Sequence, residues 1–311
     1  MMKVALLGAS GFVGNNVAEV LSDSNIEVHG ASRATGVDLR DVFAAKAFFQ
    51  KLKPNYVINC AAHVGSLNYV TRQAADIIVD NSQMLIGMYQ AIAEVCPTAV
   101  VINPIANCAY PAKAALFIED EMWDGQLHRS VLSYGTTRRL MWALSECFLM
   151  QHGIRTISLL VPNMYGPYDS TNPDKAHALN ALISKFVKAE QDFKSEIPVW
   201  GTGIAIREWL YAPDFARIVL QVIRNPTMLG LDQPVNIAQN FGLSVRELVE
   251  IIRSKFDCKF LIKYDHSMPD GALSKVMDDT RFKKIFPEFD FTEFDQGILA
   301  TIQYYKQSLP Y

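Results

Sequence analysis

Three glycines at fixed spacing are the first residues with chemistry in reach. Gly8-Ala9-Ser10-Gly11-Phe12-Val13-Gly14 reads GxxGxxG, after the apolar run Lys3–Leu7 and before a helical pattern. Glycines at such a strand-to-helix turn let backbone N–H groups approach a pyrophosphate at the positive end of a helix. Gly8, Ser10, Gly11, Phe12, Val13 and Gly14 are therefore the candidate cradle of a dinucleotide. The next apolar run ends Gly30-Ala31-Ser32-Arg33. A carboxylate at that point would hold the ribose 2′-hydroxyl of NAD, whereas Ser32 and Arg33 suit a 2′-phosphate. NADP is favoured, with NAD as the other choice. Asp38, in Asp38-Leu39-Arg40-Asp41, is placed either to meet the adenine side or to cap the following helix.

These residues need a frame, and the apolar periodicity supplies one. Strand runs at Lys3–Leu7, Ile26–Ala31, Tyr56–Cys60, Ala99–Ile102 and Arg155–Val161 alternate with helical patterns at Phe12–Ser22, Val42–Leu52, Ala74–Cys96 and Tyr134–His152. Strand, helix, strand in repetition predicts right-handed crossovers and a Rossmann-like parallel sheet with helices on both faces. The second half is less regular. Ser244 with Glu247 is a capping box opening a helix to about Phe256, and Phe260–Tyr264 reads as a strand. The expected division is residues 1–162 with 197–240 as the dinucleotide-binding part. Residues 163–196 with 241–311 then form a smaller mixed α/β substrate-binding lobe over the sheet's carboxyl edge, where ligands of open α/β sheets bind.

Composition narrows the partners. The 311 residues are 50% hydrophobic and 20% charged, which suits a packed core. A formal charge of −3 gives no electrostatic case for nucleic acid or an anionic membrane. The longest apolar stretches fall far short of the ~20 residues of a membrane span. Five scattered cysteines without a CxxC pair argue for a reducing compartment, so a cytoplasmic protein with neither a disulfide framework nor a metal site is expected.

Several further pieces occur together: Asn59-Cys60-Ala61-Ala62-His63-Val64-Gly65, Cys108-Ala109-Tyr110-Pro111, Tyr134 opening a helix, and Asn163-Met164-Tyr165-Gly166-Pro167. His177 precedes Ala181-Leu182; Val199-Trp200-Gly201-Thr202-Gly203, Arg207-Glu208-Trp209-Leu210 and Pro269-Asp270-Gly271 with Lys275 follow. With the glycine run they resemble the extended short-chain dehydrogenase/reductases (the NAD-dependent epimerase/dehydratases), and among these the GDP-L-fucose synthases. The likeness runs to about Asp278. It implies an NADPH-dependent 3,5-epimerase and 4-reductase of a GDP-linked 4-keto-6-deoxy sugar.

What the resemblance implies for residues can be carried over position by position. The catalytic tyrosine falls on Tyr134, and the epimerising cysteine and histidine on Cys108 and His177. Leu39, Ala61, Ala62, His63, Pro162 and Asn163 join Arg33, Asp38, Tyr134 and Arg138 at the cofactor. Asn163, His177, Lys185, Trp200, Arg207 and Lys275 fall at the nucleotide sugar. Two positions depart. The lysine four after the tyrosine is Arg138, and the catalytic serine is Ala106, followed by Asn107. Arginine keeps the charge but not the shape of lysine. Losing one donor at a developing oxyanion typically costs ~10² to 10³ in rate; Asn107 is the candidate replacement. The alternatives are an epimerase with bound nicotinamide and no net reduction, or a non-catalytic cofactor-binding protein. Homodimerisation through the helices at 74–96 and 134–152 is expected, with Met141 and Trp142 facing outward.

Overall fold

The computed structural model describes residues 2–172, 175–225, 233–268 and 270–308. Pro269, one residue of the quoted motifs, lies outside them. β1 (Met2–Leu7), α1 (Phe12–Ser22), β2 (Ile26–Ala31), α2 (Val42–Leu52) and β3 (Tyr56–Asn59) open the chain. α3 (Leu67–Arg72), α4 (Ala74–Val95), β4 (Val100–Ala106), α5 (Leu132–His152) and β5 (Thr156–Val161) follow. With β9 (Val235–Asn236) from the second half of the chain, the main strands pair in the order β2-β1-β3-β4-β5-β9, all parallel. The predicted strands and helices of this half recur within two residues at most ends.

Alternation fixes the layers. Val4 and Leu6 of β1 pack with α1 on one face, while Ala5 and Leu7 pack with α2 and α4 on the other. A period of two on strands covered on both faces leaves no polar side. β4 is longer than its apolar run suggests and passes through Pro104. Its pairing with β3 stops at Ile102, so from there it is a one-sided edge, where a missing N–H is tolerated.

The remaining elements are β6 (Asn163–Tyr165), α6 (Ala178–Gln191), β7 (Glu196–Trp200), β8 (Ile206–Tyr211), α7 (Ala212–Arg224), β9, β10 (Gly242–Ser244) and α8 (Val245–Arg253). β11 (Leu261–Asp265), β12 (Ser274–Lys275), α9 (Thr280–Ile285) and α10 (Phe294–Ser308) complete the chain. α7 and α9 return to the main sheet through Phe215, Val219 and Phe282. A second apolar cluster gathers Leu179 and Phe186 of α6, Ile197 and Val199 of β7, Leu248 of α8 and Ile298 of α10. The Ser244 capping box is present, with Glu247 closing it. β7 pairs with β11, and β8 is the hub of the lobe, bonded to β6, β10 and β12.

One expectation fails. Met141 is fully buried, packed with Leu85, Ile105 and Leu160 beneath α5. It sits on the inner stripe, seven residues after Tyr134. Trp142 is half-buried against Trp123.

Candidate functional site

Strand order reverses between β1 and β3, and the glycine loop leaves the sheet there. Gly8 has φ +72°, and a Cβ on it would lie 2.6 Å from the Cys60 carbonyl, so the loop passes tightly over the end of β3. A Cβ on Gly14 would lie 2.2 Å from Gly8 O, so α1 can pack this close only with glycine there. The N-cap of α1 is Gly11, which offers no side-chain acceptor. The first-turn amides therefore face outward for a ligand.

The candidate reactive residues stand further along the same carboxyl edge. Cys108 lies in a single 3-10 turn, Asn107–Ala109, directly after β4. α5 presses onto that turn: a Cβ on Gly135 would lie 2.6 Å from Cys108 O, and Arg139 Nε donates to Ala109 O at 2.8 Å. Tyr134 thereby stands beside Cys108. The Arg138 guanidinium lies over the Tyr134 ring, 4.6 Å from its centroid, and its Nη2 donates to Asn81 Oδ1 at 3.4 Å. Burial raises the Tyr134 pKa, against the pull of Arg138. Burial likewise raises that of Cys108, with Lys275 and then Arg138 pulling it down. The resting group is a thiol, with two cations placed to favour its thiolate.

His177 sits at the N-cap of α6 but makes no side-chain cap bond. Its ring is 5.1 Å from that of Phe12. Asp169, buried, accepts the His177 backbone N–H at 2.8 Å, and both its oxygens lie 3.1 Å from Nδ1. Burial lowers the imidazole pKa, but the charge and hydrogen bond of Asp169 outweigh it and the net shift is upward.

The basic residues of the lobe form a clamp on neighbouring strands. Lys275 pairs in register with Arg207, and Arg207 Nη2 donates to Asp270 O at 2.9 Å. Asp270 in turn accepts from Thr202 N at 2.7 Å and Thr202 Oγ1 at 2.8 Å, tying down the Trp200-Gly201-Thr202-Gly203 turn. Lys185 Nζ lies 5.2 Å from the ring of half-exposed Trp200 and donates to Pro198 O. Burial lowers the pKa of Lys185, Arg207 and Lys275 alike.

Residues 4–238 match the model of the NAD dependent epimerase/dehydratase family. The chain belongs to that family. It is 27% identical to a probable GDP-L-fucose synthase 1 of Oryza sativa subsp. japonica, over 99% of this chain and 93% of that one. It is 28% identical to a GDP-L-colitose synthase of Yersinia pseudotuberculosis, over 98% of each. An NADP-bound GDP-L-fucose synthetase from Naegleria fowleri has the same fold, with a TM-score of 0.87, 24% identity, and 99% and 94% coverage.

A nicotinamide dinucleotide of the kind this family is named for fits the residues present. The glycines let the loop pack tightly against the end of β3 and the start of α1, and two buried donors, Asn107 Nδ2 and Arg138 Nε, have no protein partner. At the other end Arg33 is exposed, while Ser32 caps the short turn Arg33–Thr35. Asp38 does not cap α2; Asp41 does, accepting from Phe43 N. Asp38 is instead gripped by Arg40, whose Nη2 lies 2.6 Å from Oδ2. Leu39 and Pro162 are buried, Ala61 is half-buried, Ala62 is exposed, and Asn163 Nδ2 donates to Glu208 O at 3.2 Å. His63 is held between Asp80 at 2.8 Å and Tyr69 at 2.9 Å, with its backbone N–H on Asn81 Oδ1.

Sequence reasoning missed the residues that hold these groups: Asp169 behind His177, Asn81 between His63 and Arg138, Arg139 on the cysteine turn, and Asp270 in the clamp. Only Asp270 carried a signal, as part of a quoted motif. Among the described residues no helix is long and apolar enough to cross a membrane, and no group of His, Cys, Asp or Glu gathers as a metal site.

Proposed function

We propose that the chain is an NADPH-dependent epimerase/reductase acting on a GDP-linked 4-keto-6-deoxy sugar. The observation that carries this is the gathering of Cys108, Tyr134, Arg138 and Lys275 at one point of the sheet edge, between a glycine cradle and a basic clamp. The names of the relatives supply the substrate class.

Epimerisation beside a ketone needs a base, an acid on the other face and a polarised carbonyl. Cys108 removes the proton as a thiolate, whose burial cost Lys275 and Arg138 offset in part. His177, kept protonated by Asp169, returns one. Tyr134 donates to the C4 oxygen, and the free Nδ2 of Asn107 adds a second donor in place of a hydroxyl at Ala106. Bound reduced nicotinamide supplies the hydride for C4. Ser32 and Arg33 hold the 2′-phosphate, with Leu39, Ala61, Ala62, His63, Pro162 and Asn163 lining the same cleft. Lys185, Trp200, Arg207 and Lys275 take the nucleotide. Residues 1–162 with 197–240 serve the cofactor and residues 163–196 with 241–311 the sugar, while β7 and β8 cross that division to pack and pair in the lobe. A second copy covers the groove of about 800 Å³ lined by Trp123, Leu127, Leu132 and Leu140 along α5, giving a homodimer.

A second reading, an epimerase without net reduction, is favoured by two observations: Ala106 has no hydroxyl, and the Arg138 guanidinium lies 4.6 Å from the centre of the Tyr134 ring. One experiment separates the two. A GDP-4-keto-6-deoxy sugar is offered in deuterated water with and without NADPH, following solvent exchange and nicotinamide absorbance. The epimerase/reductase exchanges and oxidises NADPH; the redox-silent enzyme only exchanges. A chain that binds NADPH but does neither is a binding protein, and the proposal fails.

A further inference from the structure

β12 is only two residues long, and its pairing with β8 sets Lys275 beside Arg207. Two cations on adjacent strands repel, and Arg207 does depress the proton affinity of Lys275. So short a ladder cannot resist that repulsion alone. Next to Arg207 stands Glu208, 1% exposed. Its Oε1 accepts the Gln239 N–H at 2.7 Å and its Oε2 the Met277 N–H at 2.8 Å, two residues beyond Lys275. Gln239 lies in the turn before β10, which pairs with Glu208 itself at Gly242. On its far side the β12 segment is bonded to Phe117, through Val276 O and Asp278 N. Burial pushes the carboxyl pKa up to about 7, against three backbone N–H groups that pull it down, and Asp279 adds to the rise.

We propose that Glu208 is a positioning residue for the nucleotide end of the substrate: its two oxygens bolt the strand of Lys275 and the turn at Gln239 to the strand of Arg207, fixing the two cations at a spacing for a diphosphate. This rests on the nucleotide-sugar reading above. Glutamine cannot substitute, because it has one acceptor oxygen and its NH₂ would face a backbone N–H. One of the two segments then loses its anchor.

The test uses GDP as the probe and the full chain with NADPH bound. Above pH 7, where the Glu208 carboxyl is ionised, Glu208→Gln is expected to weaken GDP binding in calorimetry by roughly ten- to a hundredfold, the loss of one charge-assisted bond. NADPH affinity should hold, and KM for the 4-keto GDP sugar should rise more than kcat falls. Glu208→Asp, which keeps the charge but is one methylene short, is the second variant if the first fails to fold, and it too should lose GDP affinity. A folded variant of either kind that binds NADPH and GDP as the wild type does overturns the proposal. A wild-type chain that binds NADPH but no GDP overturns the substrate reading instead.

Discussion

The glycine cradle and the basic clamp both face the carboxyl edge of the sheet, but they are built differently. The cradle is backbone: Gly8 and Gly14 work through what they lack, and their contacts lie within one turn or one neighbouring strand. The clamp is side chain, and two carboxylates far away in sequence tie down the segments that carry it. Asp270 reaches 68 residues to Thr202, and Glu208 reaches 69 to Met277. A backbone site fails all at once when a Cβ intrudes. A side-chain site loosens by degrees when a support is removed.

Gly14→Ala should break the cradle outright. Its methyl would meet Gly8 O at 2.2 Å, a backbone atom that cannot rotate away. Overpacking of this kind costs typically 1–3 kcal/mol, and here the strain falls on the loop proposed to meet the pyrophosphate. NADPH titration by nicotinamide fluorescence should show binding weakened by about 5- to 150-fold as those energies convert, or lost. A variant that binds NADPH normally would mean the loop is not the cradle.

The same contrast explains what the sequence made legible. The alternating strands and helices through Val161 are each announced by local periodicity, and the glycine run by its own spacing. Cys108, Tyr134 and His177 are visible only through the company of their motifs. Asp169 lies eight residues before His177 with no pattern linking them, and Asn81 reaches Arg138 across 57 residues. Such partners are specified by tertiary packing, which one-dimensional spacing does not encode. Met141 was misplaced for the same reason: α5 is covered on more of its surface than its polar residues suggest.

Asp169→Asn should loosen the other site without dissolving it. The amide keeps an acceptor for the His177 N–H but loses the charge that holds the imidazole pKa above its ordinary 6.5. Solvent exchange, falling as His177 gives up its proton with rising pH, should then fall at lower pH than in the wild type. The rate loss should be roughly ten- to a hundredfold, part of the ~10² to 10⁴ a placed general acid contributes. Stability follows the same sign. A raised histidine pKa stabilises the fold fully below the unfolded value and ceases to as pH rises through the folded one. The melting gap between wild type and variant should therefore be widest on the acid side of neutrality. An unchanged exchange profile would remove Asp169 from the proton chemistry.

The smallest effect is expected at Arg33, a proposed cofactor contact made by an exposed side chain. It is exposed, so its charge is shared with solvent and counterions. Arg33→Ala should weaken NADPH by roughly tenfold, the low end for a charge-assisted hydrogen bond, and leave NADH unchanged because NADH has no 2′-phosphate to lose. The NADPH preference should also shrink in the wild type as salt is raised, since the Debye length falls from about 10 Å at 0.1 M to 3 Å at 1 M. Ser32 would keep a residual preference through its hydroxyl, which salt does not screen. Equal wild-type affinities for the two cofactors at low salt would remove the assignment of the 2′-phosphate to Ser32 and Arg33. Equal losses of both in Arg33→Ala would mean that the arginine supports the turn at Arg33–Thr35 and does not read the phosphate.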